Sequence, residues 1–354
     1  MRRTKLPAAG LGPDALAAFA RLRYVSDSDA GFSRQRVGAR IHYIDCAGRR
    51  VHNARQVARF EQLAIPPAWR DVWICRFAKG HLQATGRDSR RRKQYVYHPR
   101  WSEASNLAKF LRLPAFGKAL PALRQMITGD LRGNKLSRRR VLAGAVGLLD
   151  ATSIRVGNEE YVTQNGSYGV TTLRDRHVTV GRGSVELRFV GKGGFRKQAI
   201  VDDMALVRLI KQARTVPGAR LLQYYDDAGK AIVVTAVDVN DYLHEVTGEP
   251  FTAKDFRTWK ASAEVAGTLY EYRDLDRLSK RRRILKTVVD EAAATLGNTP
   301  TVCRNYYIHP GLLASYQDGS FGEYFRRFTA RRRKGLSASE QILQHFLRRW
   351  EVDS

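Results

Sequence analysis

The chain has 354 residues, of which 43% are hydrophobic, and 62 Lys and Arg against 34 Asp and Glu give it a formal net charge of +28. This length favours two domains, the composition excludes an intrinsically disordered chain, and no apolar run reaches the roughly 18 residues that a membrane-spanning helix needs. Because a compact protein tolerates so much positive charge when a polyanion offsets it, nucleic acid is the expected partner, and a membrane is not. A generally basic soluble protein is the alternative, which the clustering of the arginines disfavours.

The start of the chain and its cysteines indicate a cytoplasmic protein. The basic segment MRRTKLPAAGLGPDALAAF is interrupted by Pro7 and Pro13, so it lacks the apolar region of a secretory signal. The three cysteines are odd in number and far apart, which argues against a disulfide scaffold or a zinc site and for a reducing compartment. They are Cys46, Cys75 and Cys303.

The amino-terminal part of the chain is predicted to be a helical arm followed by a β-rich domain. Residues 1–24 are basic and rich in Ala, which favours a helix without a strong packing face. In residues 25–98, ARIHYIDCAGRRVHN predicts a strand pair that turns at Ala47-Gly48, and VWICRFAKGHLQATGRD predicts another that turns at Lys79-Gly80. We therefore expect a small β-rich domain that ends just before Pro99.

Residues 99–354 are predicted to form a larger, mainly helical domain. LSRRRVLAGAVGLLDATSIR has helical periodicity, whereas HVTV, SVELRFV and FRKQAIV predict three strands joined by glycine-containing turns. Helical patterns follow, and the last of them begins at a capping box formed by Ser337 and Glu340. The predicted fold class is α+β, with a small β-rich amino domain and a larger helical domain that carries a three-stranded β-hairpin element.

The sequence lacks the usual motifs for nucleotide or metal chemistry. No GxxxxGK[ST], HExxH or CxxC pattern occurs, so neither a cofactor nor a metal is expected. An enzyme that acts on nucleic acid would then use cations alone: two guanidiniums to bind the phosphoryl oxygens and a lysine to protonate the leaving oxygen. Its nucleophile would be a hydroxyl that forms a covalent ester.

Five sequence blocks supply those groups in order between Tyr24 and Tyr324. They are GRDSRRRKQYVYHPRW, SIRVGNEEYVTQNGSYGVTTLRDRHV, VELRFVGKGG, PFTAKDFRTWKAS and LGNTPTVCRNYYIHPGLL. Together they resemble the type IB DNA topoisomerases in their compact bacterial and poxvirus-like form. The resemblance implies a tyrosine recombinase/topoisomerase IB-like fold and a monomer that clamps duplex DNA. It also implies a cytoplasmic, nucleoid-associated enzyme that relaxes supercoils without ATP or metal.

The first block resembles the family's amino-domain segment that grips the DNA major groove. Its basic residues are candidates for phosphate contacts, and its polar and aromatic residues are candidates for contacts to base edges or sugars. A solvated basic loop beside a strand is the alternative that these residues alone leave open. The basic candidates are Arg87, Arg90, Arg91, Arg92 and Lys93, and the others are Gln94, Tyr95 and Tyr97.

The middle blocks imply most of the catalytic groups. By resemblance, Arg155 contacts the scissile phosphate, Tyr161 contacts DNA, and Lys192 at a hairpin tip is the general acid. Arg257 corresponds to the family's second catalytic arginine, and Lys254 belongs to the DNA-binding set. The Lys254-Asp-Phe-Arg257 pattern is the topoisomerase form, since tyrosine recombinases normally have His-x-x-Arg there.

Two adjacent tyrosines in the last block compete for the role of nucleophile. Neighbouring helical residues point about 100° apart, so only one of them can face the phosphate. The family places its nucleophile before a hydrophobic residue, a variable residue and Pro, which Tyr307 satisfies and Tyr306 does not. Tyr306 is therefore interpreted as a packing residue or a DNA-side neighbour, and Arg304 as a supporting cation.

The place of a histidine in many family members is taken here by Asn298. An amide can donate the same hydrogen bond to a phosphate oxygen, although it cannot titrate. His309, the histidine nearest the two tyrosines, is interpreted as a surface or DNA-facing residue.

The implied reaction is an attack by Tyr307 that leaves a 3′-phosphotyrosyl link and a free 5′-hydroxyl, followed by strand rotation and religation. A tyrosine site-specific recombinase and a non-enzymatic basic DNA-binding protein are the alternatives.

Overall fold

The computed structural model describes residues 12–38, 40–331 and 334–352. The chain divides into two compact units, of which the first ends at Leu111 and the second begins at Arg112. The division lies beyond the boundary predicted before Pro99, because helix α3 (Pro99–Leu111) packs with the first unit.

The first unit contains a five-stranded antiparallel sheet with the strand order β2-β1-β3-β4-β5. Helix α2 (Ala54–Gln62) covers it, and Phe60 of this helix packs into a core with Tyr43, Ile74 and Ala84. The strands are β1 (Gly31–Val37), β2 (Arg40–Ile44), β3 (Arg70–Cys75), β4 (Leu82–Arg87) and β5 (Lys93–Tyr97).

One of the two predicted hairpins is confirmed and the other is wrong. β3 and β4 pair as expected across the turn that contains Lys79-Gly80. β2, however, pairs with the preceding strand β1, and beyond Ala47-Gly48 only a single bridge from Ile44 to Arg50 remains. The chain then enters α2, whose amino-terminal amides are capped by Asn53, so no second strand forms there.

The predicted amino-terminal arm is helical in the part that the structure describes, but the prediction that it lacks a packing face is wrong. Residues 1–11 of that arm lie outside the described residues, whereas helix α1 (Pro13–Phe19) packs against α3. Leu16, Ala17 and Leu22 are buried in a small core with Ala104. The sequence does have an apolar face, but it is short and its partner lies far along the chain.

The second unit is mainly helical, and helix α5 is deeply buried within it. Every residue from Arg140 to Leu149 is buried, since the sequence VLAGAVGLL offers no polar face. Helix α5 packs against α4, α7, α8 and α9. The helices are α4 (Leu113–Asp130), α5 (Arg138–Thr152), α6 (Glu159–Asn165), α7 (Met204–Ala213), α8 (Ala236–Thr247), α9 (Ala253–Glu271), α10 (Leu278–Leu296), α11 (Pro300–Tyr306), α12 (Pro310–Asp318) and α13 (Ala338–Val352).

Two small antiparallel sheets complete the second unit, so the fold is mixed α+β. The larger sheet has the order β6-β7-β8, and the smaller pairs β9 with β10. The strands are β6 (Val178–Val180), β7 (Val185–Val190), β8 (Arg196–Val201), β9 (Gln223–Tyr225) and β10 (Ala231–Val233). Over the described residues, no helix is both long and apolar enough to cross a membrane.

A partly buried ion-pair network holds the last helix, α13, against α4, α5 and α9. Arg124 of α4 donates to Asp150 of α5 at 2.7 Å and to Glu340 of α13 at 2.8 Å. Glu340 also accepts from the indole of Trp259 on α9 at 3.0 Å. The predicted capping box is confirmed, because the amide of Ser337 donates to Glu340 at 2.8 Å and the amide of Glu340 donates to the Ser337 hydroxyl at 3.3 Å.

Candidate active site

Arg155 follows the end of α5, where the chain leaves the helix. Ser153 has a left-handed φ of 54°, and the carbonyl of Arg155 accepts a hydrogen bond from the amide of Val170 at 2.9 Å. The Arg155 guanidinium donates through Nη2 to the side-chain oxygen of Asn298. Burial lowers the pKa of this guanidinium, and the neighbouring Tyr307 phenol partly opposes the shift.

Arg257 is buried in the first half of α9, with only 3% of its surface exposed. The helix is capped by Thr252, whose amide donates to the Asp255 carboxylate at 2.8 Å. The two terminal nitrogens of Arg257 donate to the carbonyl oxygens of Ser153 and, at 3.0 Å, of Leu296. This guanidinium therefore joins α9 to the ends of α5 and α10.

Tyr307 lies at the end of α11, and its ring faces Arg257. The guanidinium carbon of Arg257 is 5.1 Å from the centroid of the ring. The backbone is held by the Tyr307 amide, which donates to Cys303 at 2.9 Å, and by Ser262, which donates to the Tyr307 carbonyl at 3.1 Å. Helix α11 ends at Tyr306, so Tyr307 leaves the helical path.

The phenol of Tyr307 is surrounded by positive charge. Burial alone raises its pKa, but the charges of Arg257 and Arg155, a hydrogen bond with Arg257 and the charge of Lys254 together bring the pKa below its ordinary value. Burial, with repulsion from Arg155, lowers the pKa of Arg257 to about 10. Arg257 therefore keeps its charge at neutral pH, and the cluster favours the phenolate form of Tyr307.

Asn298 is presented to this cluster by the end of α10. Gly297 ends that helix with a left-handed φ of 59°, and the amide of Asn298 donates back to the Ala293 carbonyl at 3.0 Å. Among the described residues, the buried Nδ2 of Asn298 and the buried Nε of Arg257 have no hydrogen-bond acceptor. Two buried donors without an acceptor would be satisfied by the oxygens of a phosphate.

Lys192 lies apart from these buried groups, in the turn between β7 and β8. Its side chain is exposed, and its ammonium is 5.1 Å from the ring centroid of Tyr161 on α6. The turn owes its shape to Gly193 and Gly194, which both have a φ of +79°. The structure thus brings together Lys192 and Tyr161, and separately Arg155, Arg257, Asn298 and Tyr307.

The remaining candidates of this unit are exposed. Lys254 lies one turn before Arg257 on α9, and its charge acts on the Tyr307 phenol. Arg304 lines a surface pocket beside Arg282 and Lys286. Tyr306 is 43% exposed, whereas Tyr307 is half-buried against the guanidiniums.

His309 does not lie at the surface, so its predicted placement is wrong. Only 7% of its surface is exposed, and its Nδ1 accepts from the amide of Gly311 at 3.2 Å at the start of α12. Its ring packs edge-on against Phe346 and Trp350 of α13, which the sequence pattern around the tyrosines does not reveal.

Lys197 on β8 is a residue that the sequence analysis missed. Its ammonium donates to the carbonyl oxygen of Thr295 and, at 3.5 Å, to that of Ala294. Burial, with repulsion from Arg257 and Arg155, lowers its pKa to about 8. The period-two alternation of FRKQAIV, which puts position 197 on the same face as the buried Val201, was the available signal.

The first-block candidates lie on β5 and on the turn before it, in the first unit. Tyr95 and Tyr97 are exposed, and their rings stack with centroids 5.9 Å apart. Lys93 is paired with Asp27 at 2.6 Å.

The turn before β5 is organised by Asp88. Its carboxylate accepts from Arg92 at 2.6 Å and from Gln94 at 3.1 Å. The guanidinium of Arg87 donates to the carbonyl of Arg91 at 3.0 Å. The side chains of Arg87, Arg90 and Arg91 are exposed, whereas Arg92 is partly buried where it pairs with Asp88.

Comparison with known families identifies the family to which this chain belongs. Residues 93–323 match the family described as eukaryotic DNA topoisomerase I, catalytic core, and residues 40–88 match the amino-terminal domain of bacterial DNA topoisomerase IB. The chain therefore belongs to the type IB DNA topoisomerases, isomerase-class enzymes that act on duplex DNA.

Individual relatives support the same family. The chain is 32% identical to DNA topoisomerase 1B of Acanthamoeba polyphaga mimivirus over 297 residues, which cover 81% of this chain and 88% of the viral protein. It is 20% identical to DNA topoisomerase 1B of Vaccinia virus (strain Copenhagen) over 241 residues, which cover 67% and 73% of the two chains.

Proposed function

We propose that Tyr307 attacks a phosphorus atom of the duplex backbone. The bond between phosphorus and the phenol oxygen forms as the bond to the 5′-oxygen breaks, which leaves a 3′-phosphotyrosyl ester. The observation that carries this role is the position of the phenol beside the guanidiniums of Arg155 and Arg257, which favour the attacking phenolate.

Arg155, Arg257 and Asn298 act in this proposal on the non-bridging oxygens of the phosphate. Negative charge grows on those oxygens in the transition state, and fixed donors stabilise it without having to reorganise. The buried Nε of Arg257 and Nδ2 of Asn298, which have no acceptor among the described residues, are suited to this task. The bond from Arg155 to Asn298 fixes the amide so that its nitrogen is the group left to donate.

Lys192 is proposed as the acid that protonates the leaving 5′-oxygen. Its support is the family resemblance and its exposed position in a turn with two glycines, where the ammonium can reach into a DNA groove. The contact with Tyr161, itself a proposed DNA-contacting residue, makes this turn and α6 one surface.

The proposed cycle needs neither a nucleotide nor a metal, because the phosphotyrosyl ester keeps about the energy of the diester it replaces. The free 5′-end rotates, supercoils relax, and the 5′-hydroxyl then attacks the ester and releases Tyr307. We propose that a monomer carries this out in the cytoplasm, in association with the nucleoid.

Both units are proposed to contact DNA. In the second unit, Lys254 and Arg304 supply exposed positive charge. In the first unit, phosphate contacts come from the basic residues and contacts to sugars or base edges from the polar and aromatic ones. These residues are Arg87, Arg90, Arg91, Arg92, Lys93, Gln94, Tyr95 and Tyr97.

Relaxation of a supercoiled plasmid in EDTA without ATP tests the cycle. Wild type and Tyr306→Phe should relax the plasmid, and Tyr307→Phe should neither relax it nor form a covalent adduct in detergent. Peptide mapping of the wild-type adduct should place the nucleotide on Tyr307. Relaxation by Tyr307→Phe would refute the nucleophile, and steep salt-dependent binding without nicking by the wild type would favour the non-enzymatic alternative. Strand exchange that requires two bound copies and paired sites would instead favour a tyrosine recombinase.

A substrate with sulfur in place of the bridging 5′-oxygen tests Lys192. A thiolate leaves without a proton, so Lys192→Ala should cleave this substrate nearly as fast as wild type while remaining slow on the normal one. Equal losses on both substrates would show that Lys192 does not act as the acid.

A further inference from the structure

The last turn of α10 carries an unusual share of side-chain donors. Helix carboxyl ends leave carbonyl oxygens without partners and carry partial negative charge. Here Lys197 donates to the carbonyls of Ala294 and Thr295, and Arg257 donates to the carbonyl of Leu296 at 3.0 Å. Three successive carbonyls are thus held by two cations, immediately before the Gly297 that turns the chain toward Asn298.

The stem of Lys197 also packs on that turn. A Cβ atom added to Gly297 would overlap the Cε and Nζ atoms of Lys197, so the lysine lies directly over the glycine. Gly297 provides both this space and the left-handed φ of 59° that presents Asn298. Lys197 and Gly297 also line a surface groove together with Asn298.

Lys197 belongs to the strand that follows the Lys192 turn. In the β7–β8 pairing, position 197 lies opposite Phe189, and the next pair, Val190 with Arg196, lies closer to the turn. A bond from Lys197 to α10 therefore connects the turn end of this hairpin to the segment that holds Asn298.

A charged lysine is electrostatically unfavourable so close to two arginines, which indicates that Lys197 has a function at this position. Its ammonium is half-buried and is repelled by both Arg257 and Arg155. The partial negative charge of the helix end offsets part of this cost, and the phosphate that the arginines bind would offset more. An uncharged side chain would pack at this turn without any repulsion.

We propose that Lys197 is a positioning residue, which fastens strand β8 to the last turn of α10 and so holds the Asn298 amide where a phosphate oxygen binds. This inference rests on the proposed role of Asn298. Lys197 acts through Asn298 rather than on the phosphate itself, so its effect should appear in the rate of cleavage and not in the affinity for DNA.

Single-turnover cleavage by Lys197→Met tests the inference, since Met keeps the length of the stem and removes the donor. We expect cleavage to slow by about tenfold or more, the scale of a small misplacement of a catalytic group, with DNA affinity close to wild type. Lys197→Arg, which can still donate to the same carbonyls, should recover most of the rate. Lys211→Met, on the exposed face of α7, is the matched control for the loss of one charge and should cleave like wild type.

A double-variant cycle with Asn298→Ala separates positioning from a general structural role. If Lys197 acts through the amide, Lys197→Met should add little to the loss already caused by Asn298→Ala, whereas independent effects would multiply. Multiplicative losses, a wild-type cleavage rate in Lys197→Met, or a loss of affinity equal to the loss of rate would each overturn the inference.

Two outcomes distinguish a failure of this inference from a failure of the proposed function. If Asn298→Ala alone cleaves like wild type, the proposed role of Asn298 fails first, and the inference fails with it. If Asn298→Ala is slow and Lys197→Met is not, only the inference about Lys197 fails. Rescue of Lys197→Met by the 5′-thiol substrate would make Lys197 a proton donor and would also overturn the positioning role.

Discussion

The guanidinium carbon of Arg257 lies 5.1 Å from the centroid of the Tyr307 ring, and the same guanidinium is bonded to the carbonyls that end two helices. Those carbonyls belong to Ser153, after α5, and Leu296, the last residue of α10. The packing of three helices therefore decides where the cation meets the phenol. Arg155 and Asn298 follow those same two helix ends, so one small region of backbone positions both arginines and the amide.

Replacement of Arg257 by Lys should separate binding from cleavage. Lysine keeps the charge, but its single nitrogen cannot reach the separate positions at which Nη1, Nη2 and Nε of the guanidinium meet two carbonyls and face the phosphate. We expect single-turnover cleavage to fall by about 10²–10³-fold, as on removal of an oxyanion donor, while DNA affinity stays near the wild-type value. Arg208→Lys on α7, an exposed arginine outside the site, is the control. A parallel loss of affinity and rate would show that Arg257 contributes to binding alone.

The pH dependence of cleavage should reveal the charge around Tyr307. The phenol is active when it is deprotonated, and its pKa is lowered, so the rate should rise with pH and level off below about pH 10. Lys254→Met removes a nearby positive charge, which raises the phenol pKa and moves the profile to higher pH. The deficit of this variant should therefore be largest near neutral pH and shrink as the pH rises. Single-turnover rates measured across this range check the prediction, and two profiles of identical shape would contradict it.

The sequence could single out the residues of the candidate site because they lie in short blocks with strong local signals. The capping residues of α9 place Arg257, and the pattern after Tyr307 distinguishes it from Tyr306. The sequence could not predict which residues of different blocks contact one another. The bond from Arg155 to Asn298 joins residues on separate elements, and the contact of Lys197 with α10 depends on tertiary packing alone.

In the fold, too, elements formed by neighbouring residues could be predicted, whereas elements that depend on distant partners could not. The β3–β4 hairpin could be predicted because its turn and both strands are contiguous. Strand β1 was missed, since its exposed, polar sequence GFSRQRV becomes a strand only by pairing with β2 and β3. Helix α1 packs on α3, more than 80 residues away in the chain, so local periodicity could not reveal its burial.

Removal of one charge from the turn before β5 should change the salt dependence of DNA binding. Arg91 is exposed and contributes its carbonyl to the turn, so Arg91→Gln removes a charge without removing that carbonyl. The slope of log affinity against log salt should fall by about one unit, while cleavage at saturating protein remains near wild type. Arg92→Gln should differ, because it leaves the Asp88 carboxylate without its ion pair and disturbs the turn. An unchanged slope in Arg91→Gln would place the turn away from DNA.

The buried imidazole of His309 should make the protein less stable in mild acid. Burial lowers the pKa of His309 to about 4, whereas an unfolded chain binds the proton near pH 6.5. The neutral ring therefore contributes its full stability above about pH 6.5, and this contribution is lost as the pH falls toward 4. The loss is roughly 3 kcal/mol by proton linkage if no rearrangement relieves it.

His309→Asn tests this linkage because Asn can still accept from the Gly311 amide at the start of α12 but does not titrate. The variant should be less stable than wild type at pH 7.5, since a smaller side chain leaves a cavity beside Phe346 and Trp350. Its melting temperature should nevertheless fall less steeply with acid, so the two curves converge. His52→Asn, at an exposed histidine, should run parallel to wild type. Parallel curves for His309→Asn and wild type would show that this imidazole takes up its proton without unfolding the chain around α12.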